Sequence, residues 1–135
     1  MFSRCVFIAH LALGVACTGC LDSTGAGALT REPATLATSG IVLPDSAVVG
    51  TPVTLTFQSL APNGCYAIGE TTVAVNGLVA DVWPYRYVSH GGSCPQLPQT
   101  FTHTATVQFA VAGRAKVVIH GGDSLLERTV QVQTR

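Results

Sequence analysis

Charged side chains are scarce in this sequence. Lys and Arg number seven, Asp and Glu number seven, and together they make up 10% of the chain, so the formal net charge is zero. Soluble domains usually carry about 25% charged residues. A chain without a net field does not gather phosphates from a distance, which argues against nucleic acid as a partner. Disordered chains are rich in charge and poor in Val, Ile and Phe, so the composition predicts a folded protein.

Long runs of helix-forming residues are also missing. Val and Thr are abundant, whereas stretches of Leu, Glu, Lys and Arg do not occur. This bias favours strands over helices. A chain of 135 residues has room for one ordinary domain.

The first twenty residues have the composition of an export signal. Arg4 supplies a positive charge, and the run from Val6 to Ala16 is apolar except for His10. This run is too short to span a bilayer as a stable helix. It leads through small residues into Cys20, which Gly19 precedes, and the segment resembles a bacterial lipoprotein signal.

The resemblance implies cleavage before Cys20 and acyl chains such as palmitate on that residue. The membrane would then be a partner through the lipid, and Leu21 in place of Asp is typical of delivery to the outer membrane of the cell envelope. Cys17 departs from the pattern, because Leu usually stands three places before the lipidated cysteine. Three alternatives remain open: lipidation of Cys17, secretion with cleavage near Ala16, and an uncleaved hydrophobic anchor.

Cleavage and lipidation at Cys20 would leave two cysteines. Cys5 and Cys17 would leave with the signal, so Cys65 and Cys94 would remain as an even pair in an oxidising compartment. The alternative is a metal site, but metal-binding cysteines usually come as close C-x-x-C pairs with further ligands. We therefore predict a disulfide that joins the start of a strand to a loop.

Residues 21–40 are predicted to be a flexible linker. They are rich in Ala, Gly, Ser and Thr, contain Pro33 and show no periodic apolar face.

Residues 41–135 are predicted to form a β-sandwich. Val53, Leu55 and Phe57 alternate with polar residues, as in a half-buried strand, and 101–111 alternates in the same way. Asn76-Gly77 between two apolar runs predicts a hairpin with a type I′ turn. Pro84 should end the strand that follows, because proline cannot donate a ladder hydrogen bond.

The order of these segments resembles bacterial immunoglobulin-like domains. The run 50–55 (GTPVTL) is similar to the entry into their second strand, and Ala112-Gly113 to the turn before their last hairpin. The resemblance implies an antiparallel β-sandwich of about seven strands. Antibody-type domains pair two strand cysteines around a buried Trp, whereas here Cys94 lies in a Gly- and Pro-rich loop and Trp83 lies between the two cysteines.

One short segment concentrates the residues that dominate binding energy at interfaces. Trp83, Tyr85, Arg86 and Tyr87 stand within five positions. We predict that they form a binding surface for an envelope protein or glycan. The alternative is that Trp83 belongs to the core and the tyrosines cover a sheet edge.

Catalytic patterns are absent from the sequence. His103 and His120 could converge in a metal-binding or enzymatic domain, but neither belongs to a ligand motif, and Ser93 lacks the strained G-x-S-x-G setting of hydrolases. We predict no catalytic residue, no metal and no cofactor. The sequence thus favours a lipid-anchored, non-catalytic binding domain, with a structural envelope spacer as the alternative.

Overall fold

The computed structural model describes residues 27–38 and 40–135, and the predicted signal segment with Cys20 lies outside the described residues. Within those residues the regular elements are strands arranged in two sheets, which confirms the predicted β-sandwich. The strands are β1 (Leu29–Pro33), β2 (Thr35–Leu36), β3 (Ser46–Val48), β4 (Val53–Ala61), β5 (Tyr66–Asn76), β6 (Val79–Ser89), β7 (Gln99–Val107), β8 (Gly113–His120) and β9 (Leu125–Gln133). In this part of the chain no helix is long and apolar enough to cross a bilayer.

The two sheets differ in size and in strand direction. The larger sheet has the order β1-β6-β8-β9-β3, with β5 also paired to β6, and the smaller sheet has the order β2-β4-β7. Most neighbours are antiparallel, but β6 pairs with β8 and β3 pairs with β9 in parallel. These two pairings depart from the antiparallel arrangement predicted from the sequence.

Strand β6 has hydrogen-bonded neighbours on both edges. Strand β5 runs along one edge through the hairpin. The other edge is shared, because β8 pairs with residues 79–82 and β1 pairs with residues 85–89. Along β6 the side chains alternate, with buried residues such as Val82 on the core side and partly exposed residues on the other.

The core lies between the sheets and follows the predicted alternation. Val53, Leu55 and Phe57 of β4 are buried, and the polar residues between them face outward. They pack against alternate residues of the larger sheet, among them Ala80, Val82, Val117, Ile119, Val130 and Val132.

The predicted hairpin is present, but its turn is displaced by one residue. Asn76 pairs with Val79, so the two-residue loop is Gly77-Leu78. Gly77 has φ of 59°, and no non-glycine residue in the described ranges has a positive φ. A single positive φ at the first loop position is the pattern of a type II′ turn, and the type I′ assignment was wrong.

Pro84 does not end its strand. It pairs with Thr71 beside an irregularity in β5, and its carbonyl accepts a hydrogen bond from the Ala34 amide at 2.9 Å. The missing proline N–H would point to the same edge as this carbonyl, where the pairing with β8 ends at Val82 and the pairing with β1 begins at Tyr85. No ladder donor is needed in that gap, so β6 continues to Ser89. The strand predicted over 101–111 ends earlier, at Val107, and Phe109 is buried beyond its end.

The linker prediction is wrong for residues 29–37. Ala34 and Leu36 are 0% and 5% exposed, and β1 and β2 belong to the two sheets. Composition did not reveal these strands, because β1 is held in place by backbone pairing and two ion pairs with residues that are distant in the sequence. Arg31 pairs with Glu70, and Glu32 accepts a hydrogen bond from the Arg86 guanidinium at 2.7 Å.

A disulfide joins Cys65 and Cys94, whose Cα atoms lie 5.2 Å apart. As predicted, it links the residue before β5 to the loop between β6 and β7. The same loop is held by a hydrogen bond from the Gly64 amide to the Pro95 carbonyl at 2.8 Å.

Truncation of Leu36 should test whether residues 29–37 belong to the folded domain. We expect Leu36→Ala to lower the free energy of unfolding by about 2–4 kcal/mol, because it leaves a cavity in the core. Leu29→Ala is the matched control in the same segment, since Leu29 is exposed and its truncation should change stability by less than ~0.5 kcal/mol. Urea unfolding of both variants measures this, and equal midpoints would contradict the assignment.

Candidate binding surface

Three aromatic side chains line the outer side of strand β6. Trp83, Tyr85 and Tyr87 are half-buried and alternate with inward residues such as Val82 and Pro84, which are buried. Side chains two positions apart on a strand share a face and lie ~6.5 Å from each other. We call these three residues the aromatic row.

Each ring of the aromatic row has a defined neighbour. Trp83 stacks on His120, with ring centroids 5.0 Å apart and planes within 15°. The Arg31 guanidinium carbon lies 3.3 Å from the centre of the Tyr85 ring. The Tyr87 hydroxyl donates a hydrogen bond to Glu70 at 2.9 Å. The rings are therefore held in place before any partner arrives.

A bulge in β5 positions Glu70. The register places Ile68 opposite Arg86 and Thr71 opposite Pro84, so Gly69 and Glu70 together face Tyr85. A β-bulge re-aims the side chains of the strand that carries it. A Cβ at residue 69 would lie 2.6 Å from the Tyr85 carbonyl oxygen, so glycine is needed for this close approach.

Charges on this face are paired. Hydrogen bonds lower the pKa of Glu70, first from its own backbone amide and then from Tyr87 and Arg31. Each of these two partners is affected in turn, because hydrogen bonding to Glu70 raises the pKa of the Tyr87 hydroxyl and the pKa of the Arg31 guanidinium. Near Trp83, the His120 Nε2 and the Asp81 carboxylate are hydrogen-bonded at 2.7 Å. The face thus combines aromatic surface with polar groups that are fixed by hydrogen bonds.

Arg86 does not belong to this surface, which corrects the prediction. It alternates with Tyr85 and Tyr87 and lies on the other side of the sheet, where its guanidinium donates to Glu32 and, at 2.9 Å, to the Leu60 carbonyl. Its guanidinium carbon also lies 4.5 Å from the centre of the Tyr66 ring. Only 12% of its side chain is exposed. Arg86 therefore connects β1, β6 and the smaller sheet.

A groove of about 410 Å³ opens beside Arg86. It lies at the end of the sandwich where β4 ends and β7 begins, and it is mostly apolar. Its lining includes Leu60, Pro62, Arg86 and Pro98.

His103 forms a polar cluster inside the core. Its Nε2 is 2.8 Å from the Ser59 hydroxyl and its Nδ1 is 3.2 Å from the Thr71 hydroxyl, while its ring stacks on Phe57. A neutral imidazole has one donor and one acceptor nitrogen, so two hydroxyls satisfy it. Burial lowers the pKa of His103. Ser59 is 0% exposed, so its hydroxyl has no contact with solvent in this structure.

The two histidines considered for a metal-binding or enzymatic site, His103 and His120, are not brought together. His103 lies on β7 in the smaller sheet and His120 lies on β8 in the larger sheet, each with its own partners. Among residues 27–38 and 40–135, no group of three or more His, Cys, Asp or Glu is arranged to hold a metal ion.

Comparisons with protein-family models, curated proteins and solved structures found no match to this chain.

Sequence reasoning missed the polar half of the surface. Arg31 was assigned to a linker, and neither Glu70 nor Asp81 was singled out. Alternation alone would have separated Arg86 from the tyrosines, because neighbouring residues of a strand point to opposite sides. Glu70 could not have been placed, since its direction depends on the bulge.

The His103 cluster predicts a pH-dependent stability. Because the pKa of His103 is lowered in the folded state, the unfolded chain binds the proton more readily below pH ~6.5. The free energy of unfolding should be highest above that pH. At lower pH it should decrease, by at most ~1.4 kcal/mol per pH unit for one proton. Urea unfolding between pH 7.5 and 5 should show this slope in the native protein and a flatter one in His103→Gln. The exposed His90→Gln variant is the control, and equal slopes in all three proteins would contradict the assignment.

Proposed function

We propose that this chain is an exported, non-catalytic binding domain, anchored to the cell envelope by a lipid on Cys20. The anchor rests on the resemblance of residues 1–20 to a lipoprotein signal. The binding role rests on the aromatic row, which presents one Trp and two Tyr on the solvent side of the larger sheet.

The aromatic row carries the proposal because of its composition and its order. The solvent side of an antiparallel sheet is usually polar. Tyr and Trp dominate the energetic centres of protein interfaces. Here their rings are already held by His120, Arg31 and Glu70, so binding would require little further ordering of side chains.

A protein fits this surface better than a glycan. Sugars stack on the open face of an aromatic ring, but the Arg31 guanidinium covers one face of Tyr85 and His120 stacks on one face of Trp83. A protein partner can instead use the ring edges, the Tyr87 hydroxyl and the paired charges around them. We therefore favour an envelope protein with a complementary polar and aromatic patch.

Truncation of the aromatic row should weaken binding without unfolding the domain. We expect Trp83→Ala combined with Tyr85→Ala to weaken capture of the partner from native membranes at least about tenfold, as for residues at the centre of an interface. Quantitative cross-linking with the full-length lipidated protein measures this, and urea unfolding monitors the fold.

Tyr66→Ala is the matched control for Tyr85→Ala. Each removes a tyrosine against which an arginine packs, but Tyr66 contacts Arg86 on the other side of the sheet. Capture should therefore survive Tyr66→Ala. Equal capture by all variants would count against the aromatic row, and competition by soluble envelope glycans would point to a sugar ligand instead.

Replacement of Cys20 tests the anchor independently. We expect Cys20→Ser to release the protein from the membrane fraction, because acyl chains cannot be attached to serine in the same way. Intact-mass measurement of the native protein should show acylation and a chain that starts at Cys20. Cys17→Ser is the control, and release by Cys17→Ser alone would move the lipid to that position.

A further inference from the structure

One end of the sandwich is built mainly from residues without charge. This end, which we call the disulfide end, consists of residues 27–30, 60–66 and 89–100. None of these residues is Asp, Glu, Lys or Arg. Arg86 lines the groove at this end, but it is paired with Glu32 and only 12% of its side chain is exposed. Arg114 and Lys116 lie towards the opposite end, on the first half of β8. An uncharged end can enter the lipid headgroup region without the desolvation cost of a charge.

The disulfide end also exposes large apolar side chains. Leu29 and Leu97 are 67% and 68% exposed, and Leu60 is 45% exposed. Pro62 and Pro98 line the groove beside Leu60 and extend this apolar character. The disulfide and the hydrogen bond from Gly64 to Pro95 hold together the two loops that carry Pro62, Leu97 and Pro98.

The chain leads from this end back towards Cys20. A Cβ at residue 27 would lie 2.6 Å from the Gly91 nitrogen, so the backbone of Gly27 is packed directly against the loop after β6. Only residues 21–26 separate Gly27 from Cys20. Even a fully extended chain across these seven steps reaches no farther than about 25 Å.

This reach is shorter than the sandwich. The nine residues of β4 make eight steps and alone span about 27 Å from one end of the sandwich to the other. A domain tethered at Gly27 would therefore need a fully extended tether even to bring its opposite end near the bilayer, whereas the disulfide end can reach the bilayer with a relaxed tether. Exposed apolar side chains, the scarcity of charge and the tether length point to the same end.

We propose that the disulfide end rests on the lipid bilayer, with Leu29 and Leu97 in the headgroup region. The inference rests on the proposed lipid anchor at Cys20 and assigns a membrane-contacting surface to the domain itself. The aromatic row then faces sideways, parallel to the membrane plane, where a neighbouring envelope protein can reach it.

Depth-dependent quenching tests this orientation. The full-length lipidated protein, carrying Leu97→Cys labelled with an environment-sensitive fluorophore, is reconstituted in phosphatidylethanolamine–phosphatidylglycerol vesicles that contain a headgroup quencher. Val111→Cys is the matched control, because Val111 is also an exposed apolar residue, 51% exposed, but lies at the opposite end. We expect several-fold stronger quenching at position 97 than at position 111.

The outcomes separate the two proposals. If the protein is recovered with the vesicles but quenched equally at both positions, the domain lies on its side or is held clear of the surface. This result would overturn the proposed orientation but not the proposed anchor. Protein that does not float with the vesicles would overturn the anchor and the orientation together. Leu97→Asp tests direct contact, with the fluorophore placed at Leu29→Cys instead. If this variant stays anchored but position 29 is no longer quenched more strongly than position 111, the result would support direct contact by the disulfide end.

Discussion

The sharing of one edge of β6 between β1 and β8 is the constraint on which the rest of the structure depends. β8 pairs with the first part of β6 and β1 with the last part, while β5 covers the other edge. Both edges are therefore occupied by other strands, and the smaller sheet covers one face of β6 but not the other. The inner face builds the core with Val82, and the outer face presents the aromatic row.

The same arrangement divides the charged groups by role. Arg31 and Glu32 are neighbours on β1 but point to opposite sides, so one ion pair forms on the outer face and the other beside the core. The outer pair orders the rings of a candidate binding surface, whereas the inner pair joins β1 to β6 near the smaller sheet. The two charged residues of β1 thus contribute to different parts of the structure, one to the candidate binding surface and one to the contact between the sheets.

Local patterns predicted local structure well. Period-two alternation identified β4 and most of β7, because burial on one face imposes that period, and glycine with proline located most turns. Parallel pairing of β6 with β8, the strand at residues 29–33 and the bulge at Glu70 depend on partners far along the chain. Composition and spacing carry no signal for such contacts, so the aromatic half of the surface was predicted and its polar half was not.

The direction of β1 also determines how the domain would respond to a pulling force. β1 starts beside Ser89 at one end of the sandwich, and β9 ends beside Gly113 at the other. Tension between a membrane anchor and a partner farther along the domain would therefore act parallel to the strands. The backbone hydrogen bonds between β1 and β6 would bear this load in shear, all at once, instead of opening one after another from the end. Such a geometry suits a domain that must keep its fold under mechanical stress.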